Sequence, residues 1–151
     1  MKSNYDTDFY EWTQHQAAAL AAGHIAELDL TNLAEEIESL GRRDRRGLRN
    51  NLKIVLMHLL KWRYQPEMRQ TGQSWENSII EHRDRIGVIP GDSPSLRCQV
   101  EALIAEAYPV ARRLARNETG LPMETFLETC PWTADEVLDD GFWPGEENTI
   151  D

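Results

Sequence analysis

The feature that most constrains this chain is an apolar stripe near its middle. Leu48, Leu52, Val55, Leu59 and Trp62 are spaced by four, three, four and three residues. At these intervals the side chains share one face of an α-helix, and such a face is normally buried. The stripe therefore predicts a central helix with a buried face. Leu52, Leu59 and Trp62, together with Ile79, are predicted to lie in the core.

Helical spacing continues along most of the chain. The stripe over residues 30–40 predicts another core-facing helix, which Gly41 either ends or weakens without ending it. A stripe over residues 96–114 predicts a further helix, and Pro109 should kink that helix or split it in two. No segment alternates apolar and polar residues as a strand would. We therefore predict an all-α fold, a compact bundle of about five main helices with a short helical C-terminal extension.

Capping and breaking residues predict where helices begin and end. Asp8 with Glu11, and Thr133 with Glu136, have the spacing of a capping box at a helix start. The proline- and glycine-containing segment 87–94 is predicted to be a turn. The C-terminal extension is expected to pack back onto the bundle through its last aromatic residues.

Length and composition predict a single cytoplasmic domain. The 151 residues match one domain by size, with an ordered core at about residues 5–144 and a mobile acidic end at 146–151. No stretch is long and apolar enough to span a membrane, and the first residues do not resemble a signal peptide. The two cysteines suit a reducing compartment and predict no disulfide framework.

Charge is unevenly distributed around a net value of −10. Residues 1–40 carry one lysine against eight acids, whereas residues 41–70 carry nine Lys and Arg against two acids. The basic segment 42–63 is a possible partner-binding face, for example for nucleic acid. Alternatively, acids of residues 35–38 or of the C-terminal tail mask it, and the overall negative charge opposes nucleic-acid binding. The arginines of this face are Arg42, Arg43, Arg45, Arg46 and Arg49.

Motifs for catalysis and for metal binding are absent from the sequence. It contains no Glu-x-x-His motif, no close cysteine pair, no Gly-x-Ser-x-Gly elbow and no glycine-rich phosphate loop. We predict no catalytic residue, no metal and no cofactor. The most notable polar residue is His58, beside the central stripe, with Asn51 and Glu35 as possible neighbours. It is either a boundary histidine hydrogen-bonded to Glu35, Asn51 or a backbone carbonyl, or a general base or ligand.

Several short motifs occur in order over residues 5–144, and together they resemble a known family. They are Tyr5-Asp6-x-Asp8-Phe9-x-x-Trp12, Leu33-Ala34-Glu35-Glu36-Ile37 with Leu40-Gly41, His58-Leu59-Leu60-Lys61-Trp62 with Gln65-Pro66, Ser74-Trp75, Pro94-Ser95-Leu96, Ala107-Tyr108-Pro109, and Cys130-Pro131-Trp132 followed by Phe142-x-Pro144. In this order they resemble the bacterial domain-of-unknown-function family 29. The resemblance implies a small helical bacterial protein without an assigned activity, and it supplies no catalytic residues.

Three functions are compatible with these patterns. The first is a non-catalytic interaction or assembly module whose partner is a protein, either a second copy or another small protein. The second is a nucleic-acid-associated protein that uses the basic segment, and the third is an enzyme or metal protein centred on His58. We favour the first, because the core pattern is strong and no group of reactive residues is apparent.

Overall fold

In the computed structural model, which describes residues 4–70 and 73–145 apart from the side chains of 73 and 90–92, the protein is all-α, as predicted. No strand occurs in these ranges. The predicted mobile end at 146–151 lies outside the described residues. The helices are α1 (Phe9–Ala22), α2 (Leu30–Tyr64), α3 (Gln73–Asp92), α4 (Pro94–Arg97), α5 (Val100–Thr119) and α6 (Ala134–Leu138), with single 3-10 turns at Ile25–Glu27, Pro66–Met68 and Met123–Thr125.

The chain divides into two compact units, and the boundary falls inside α2. The N-terminal unit extends to Arg43 and the C-terminal unit begins at Asp44. Helix α2 continues through Gly41 without a break. Glycine in a helix interior costs about 1 kcal/mol relative to alanine, which the long run of good helix formers around it outweighs.

The central stripe lies in the core of the C-terminal unit, as its spacing predicts. Leu48, Leu52, Val55 and Leu59 are completely buried. Ile79 of α3 is also completely buried, in the same cluster. Trp62, at the end of the stripe, is only partly buried.

The C-terminal extension packs back onto this core. Helix α6 begins with the predicted capping box, in which Thr133 and Glu136 bond to each other's backbone. Val137 is fully buried, and the ring centre of Trp143 lies 4.7 Å from that of Trp62. The extension therefore supplies part of the core.

One predicted helix limit in the C-terminal unit is wrong. Segment 87–94 is not a turn, because α3 continues to Asp92 and α4 starts at Pro94. Ile86 is buried and Ile89 is partly buried against the core, and this packing keeps the end of α3 helical. Tertiary packing thus overrides the local propensity of these residues. Of the two outcomes predicted for Pro109, a split does not occur, because α5 continues through it, and the preceding residues Ala107 and Tyr108 are buried.

The stripe over 96–114 is nevertheless divided, at residues 98–99 between α4 and α5. Neither Cys98 nor Gln99 is a helix breaker, so the sequence carries no signal for this break. At the break, the side-chain oxygen of Gln99 accepts a hydrogen bond from Arg45 Nε at 2.9 Å. This contact joins α2 to the start of α5.

The N-terminal unit has a small core built around one tryptophan. Asp8 caps α1 by accepting a hydrogen bond from the backbone of Glu11, which is one of the two bonds of the predicted capping box. Trp12 is buried, and its Nε1 donates to Asp29 Oδ2 at 3.1 Å. Gln16 accepts from the backbone N–H of Asp29 at 2.7 Å. These bonds fasten α1 to the start of α2.

Candidate functional site

The N-terminal stripe on α2 does not face a core. Leu30, Ile37 and Leu40 are 65%, 67% and 58% exposed, and Leu33 between them is partly buried. We call these four residues the exposed leucine stripe. The prediction that the 30–40 stripe faces inward is therefore wrong, since three of its four residues are more than half exposed.

Exposed apolar side chains are concentrated in this unit. It contains seven of the eleven large apolar residues that are exposed in the described ranges, the others outside the stripe being Phe9, Tyr10, Leu20 and Ile25. Its buried apolar residues, among those described, are Trp12 and Ala19 alone. A folded unit with so small a core and so much apolar surface is typical of a partner-binding element.

Charged residues follow and flank the stripe. Glu36 accepts a hydrogen bond from the Tyr5 hydroxyl at 2.5 Å, and this bond is the main cause that raises the pKa of Tyr5 to about 12. Glu38 lies 3.6 Å from Arg42 one turn later. Arg43 is exposed and forms no ion pair with any described residue.

An open cleft of about 780 Å³ lies between α1 and the 3-10 turn of the same unit. Ala19, Ala22 and Leu28 contribute apolar walls, and Trp12 and Gln16 also line the cleft. The Trp12 ring nitrogen and the Gln16 amide are already bonded to Asp29 and to the backbone. The side chains of His15, His24 and Glu27 line the cleft as well, with His24 Nδ1 3.5 Å from Glu27 Oε2, so the cleft offers polar as well as apolar surface.

The second location of interest is a polar cluster around His58 in the C-terminal unit. His58 is partly buried, and its Nδ1 has no hydrogen-bond partner in the described structure. Burial, and secondarily the positive charge of Lys61, lower the pKa of His58 to about 4. The histidine is therefore neutral near pH 7, and its imidazole carries no positive charge there.

Lys61 is the charged centre of this cluster, and sequence reasoning did not select it. It is 8% exposed, and its Nζ donates to Glu118 Oε2 at 2.6 Å. The same Nζ lies 4.7 Å from the ring centre of Trp75, within cation–π distance. A lysine three residues after His58, between two stripe positions, was the signal available in the sequence.

The predicted neighbours of His58 are engaged or located elsewhere. Asn51 Nδ2 donates to the Gly47 carbonyl at 3.0 Å, which is a contact within α2. Glu35 is exposed in the N-terminal unit. Two other buried donors in the C-terminal unit, Trp62 Nε1 and Arg83 Nη1, also have no partner in the described part of the chain.

Arg83 was also missed, and its role in the structure is to hold the C-terminal extension. It is 4% exposed, and its Nε donates to the Val137 carbonyl at 2.9 Å. Burial lowers the pKa of Arg83, and the nearby charges of Asp140 and Asp139 oppose that shift. Two of the tail acids thus act on Arg83, and among the described residues no tail acid forms an ion pair with the basic segment that they were predicted to mask.

The arginines of the basic segment are partly neutralised. Glu106 of α5 accepts from Arg45 at 2.8 Å and lies 3.9 Å from Arg49. Glu38, which lies near Arg42, was among the acids predicted to mask this segment. Glu106 was not among them. Arg46, like Arg43, is exposed and has no ion pair with another described residue.

No metal-binding group is apparent: in the described ranges, no cluster of three or more His, Cys, Asp or Glu residues could hold a metal ion. None of the helices in those ranges is long and apolar enough to cross a membrane. The two cysteines are free. Cys98 is exposed, and Cys130 is partly buried with a pKa raised by that burial.

Comparison with known proteins identifies one family. The family model described as domain of unknown function DUF29 matches residues 4–143, which is nearly the whole chain. No curated protein and no solved structure matches.

Proposed function

The chain belongs to the DUF29 family, and we propose that it is a non-catalytic protein-interaction module whose binding surface is the exposed leucine stripe of the N-terminal unit. The observation that supports this most directly is the contrast between the two units. In the C-terminal unit the apolar stripe of α2 is completely buried from Leu48 to Leu59, whereas in the N-terminal unit Leu30, Ile37 and Leu40 are each more than half exposed.

Burying these side chains against a partner is favourable. Full burial of a leucine or isoleucine contributes about 1.5–3 kcal/mol. Three side chains that are roughly two-thirds exposed therefore offer about 3–6 kcal/mol of transfer free energy per copy. This supports a specific but reversible contact, since part of that energy offsets the entropy lost on association.

The polar groups elsewhere support a binding function over a catalytic one. Lys61 and Glu118 are bonded to each other, and the Nδ1 of His58 has no carboxylate partner among the described residues. Two free cysteines and the acidic surface support a cytoplasmic location for this module. The expected partner is a protein, because an apolar stripe flanked by charges is typical of protein interfaces.

Photo-crosslinking in living cells tests this function. A photoreactive amino acid placed at Ile37 should produce covalent adducts with a protein. The matched control is Ile80 of the C-terminal unit, which is 51% exposed and should produce few or none. Equal yields from the two positions, or no adduct from Ile37, would contradict the proposal.

A further inference from the structure

We infer that the partner of the exposed leucine stripe is a second copy of this chain, and that the two α2 helices pair antiparallel over residues 30–40. This inference rests on the proposed function of the N-terminal unit and names its partner. It follows from the spacing of the stripe and from the order of charges around it.

The spacing of the stripe suits a helix pair. Leu30, Leu33, Ile37 and Leu40 follow one another at three, four and three residues, the alternation of core positions in a coiled coil. An antiparallel pair with its two-fold axis at residue 35 places Leu30 opposite Leu40 of the second copy, and Leu33 opposite Ile37. Every residue of the stripe then meets an apolar residue, and none remains exposed at either end.

Residues beside the stripe allow the helices to approach closely. Ala34 and Gly41 lie on one flank, four residues from Leu30 and Ile37, and neither carries a large side chain. A Cβ atom added at Gly41 would have nothing within 4 Å outside its own stretch of helix, so the surface at Gly41 is open in the monomer. The small residues thus leave room for the second helix.

The charges determine the direction of the pair. Acids precede the stripe, at Glu27 and Asp29, and bases follow it, at Arg42 and Arg43. An antiparallel pair brings the bases of each copy beside the acids of the other, whereas a parallel pair sets like charges side by side.

This pairing also brings Glu36 of one copy near Glu36 of the other, close to the two-fold axis, and the two negative charges repel each other. Each Glu36 already accepts a hydrogen bond from Tyr5 in its own chain. The attraction between the charges of Arg43 in one copy and Asp29 in the other, at each end of the pair, offsets this repulsion, while Asp29 keeps its hydrogen bonds from Trp12 and Asn32. The charge of Arg43 is available for this attraction, because Arg43 has no ion pair elsewhere in the described chain.

Sedimentation of the full-length protein tests the self-association. The 17.4 kDa chain should sediment as a dimer at micromolar concentration, and Ile37→Glu should convert it to a monomer with unchanged helical content. Ile80→Glu, at a position of the C-terminal unit that is 51% exposed, should remain dimeric. A monomeric wild-type protein, or an Ile37→Glu variant that stays dimeric while folded, would overturn the inference.

Disulfide trapping tests the direction. With Cys98 and Cys130 replaced by serine, the Leu30→Cys and Leu40→Cys chains are mixed and oxidised, and peptide mapping identifies the products. An antiparallel pair yields mainly the mixed disulfide between positions 30 and 40. A parallel pair yields disulfides between identical positions, and that result would overturn the antiparallel arrangement.

The two proposals fail in different ways. If the wild-type chain is monomeric but the photoreactive residue at 37 forms adducts with another protein, the second copy is wrong as partner and the interaction function stands. If the chain is monomeric and no adduct forms, both proposals are wrong.

Discussion

Truncation of Leu59 measures how much the central stripe contributes to stability. Leu59 has 0% of its surface exposed and lies in the core cluster with Leu56 and Leu60. Leu59→Ala removes three carbon atoms, and at about 0.8 kcal/mol each their transfer accounts for about 2.4 kcal/mol. The remaining cavity adds to this, so we expect the free energy of unfolding to fall by about 2–5 kcal/mol.

Urea unfolding followed by tryptophan fluorescence is the assay. Four of the five tryptophans, at positions 62, 75, 132 and 143, belong to the C-terminal unit and report on it. The matched control is Leu127→Ala, at a position that is 54% exposed, which should cost less than about 1 kcal/mol. If Leu59→Ala costs no more than this control, with the denaturant slope unchanged, the stripe does not form the core and the fold is wrong.

Three further predictions concern charged and titratable groups. Because the pKa of His58 is lowered to about 4, below its unfolded value of about 6.5, protons bind preferentially to the unfolded chain as the pH falls from about 6.5 to 4. The free energy of unfolding should therefore decrease over this range, by at most about 3 kcal/mol from this group. His58→Gln should flatten the dependence of that free energy on pH. Parallel curves of stability against pH for the two proteins would refute the lowered pKa of His58. Glu118→Ala leaves the buried Lys61 ammonium without its carboxylate and should lower the free energy of unfolding by about 1–3 kcal/mol. Lys61→Met keeps the apolar stem and should lower it by less in the same urea unfolding experiments. The reverse order would show that the ion pair is not what satisfies Lys61. In fluorescence anisotropy at about 150 mM salt the protein should not bind random duplex DNA or RNA. Micromolar binding that weakens steeply with salt, and that is lost in the double variant Arg43→Ala/Arg46→Ala, would contradict this prediction.

Several features of this protein follow from local sequence patterns. The spacing from Leu48 to Trp62 predicts a long helix, and the structure confirms it, because a helix presents every third or fourth residue on one face wherever it lies. The capping residues Asp8 and Thr133 also act as predicted. A cap depends on backbone N–H groups only two or three residues away, so its outcome is decided locally.

Other features depended on contacts between distant segments. Segment 87–94 contains residues typical of a turn, yet residues 87–92 continue α3, because packing of Ile86 in the core and of Ile89 against it outweighs local preference. The ion pair of Lys61 with Glu118 joins residues 57 positions apart. Nothing in the spacing of either residue indicates the other.

The sequence by itself determined that both halves of α2 carry an apolar stripe; only the tertiary structure decided which stripe is buried. Around residues 48–59, helices α3 and α5 and the C-terminal extension supply enough apolar surface to exclude water completely. Around residues 30–40, the N-terminal unit offers little more than Trp12 and Ala19, and Ile37 stays 67% exposed. Periodicity reports which side chains share a face, but burial depends on what the rest of the chain places against that face.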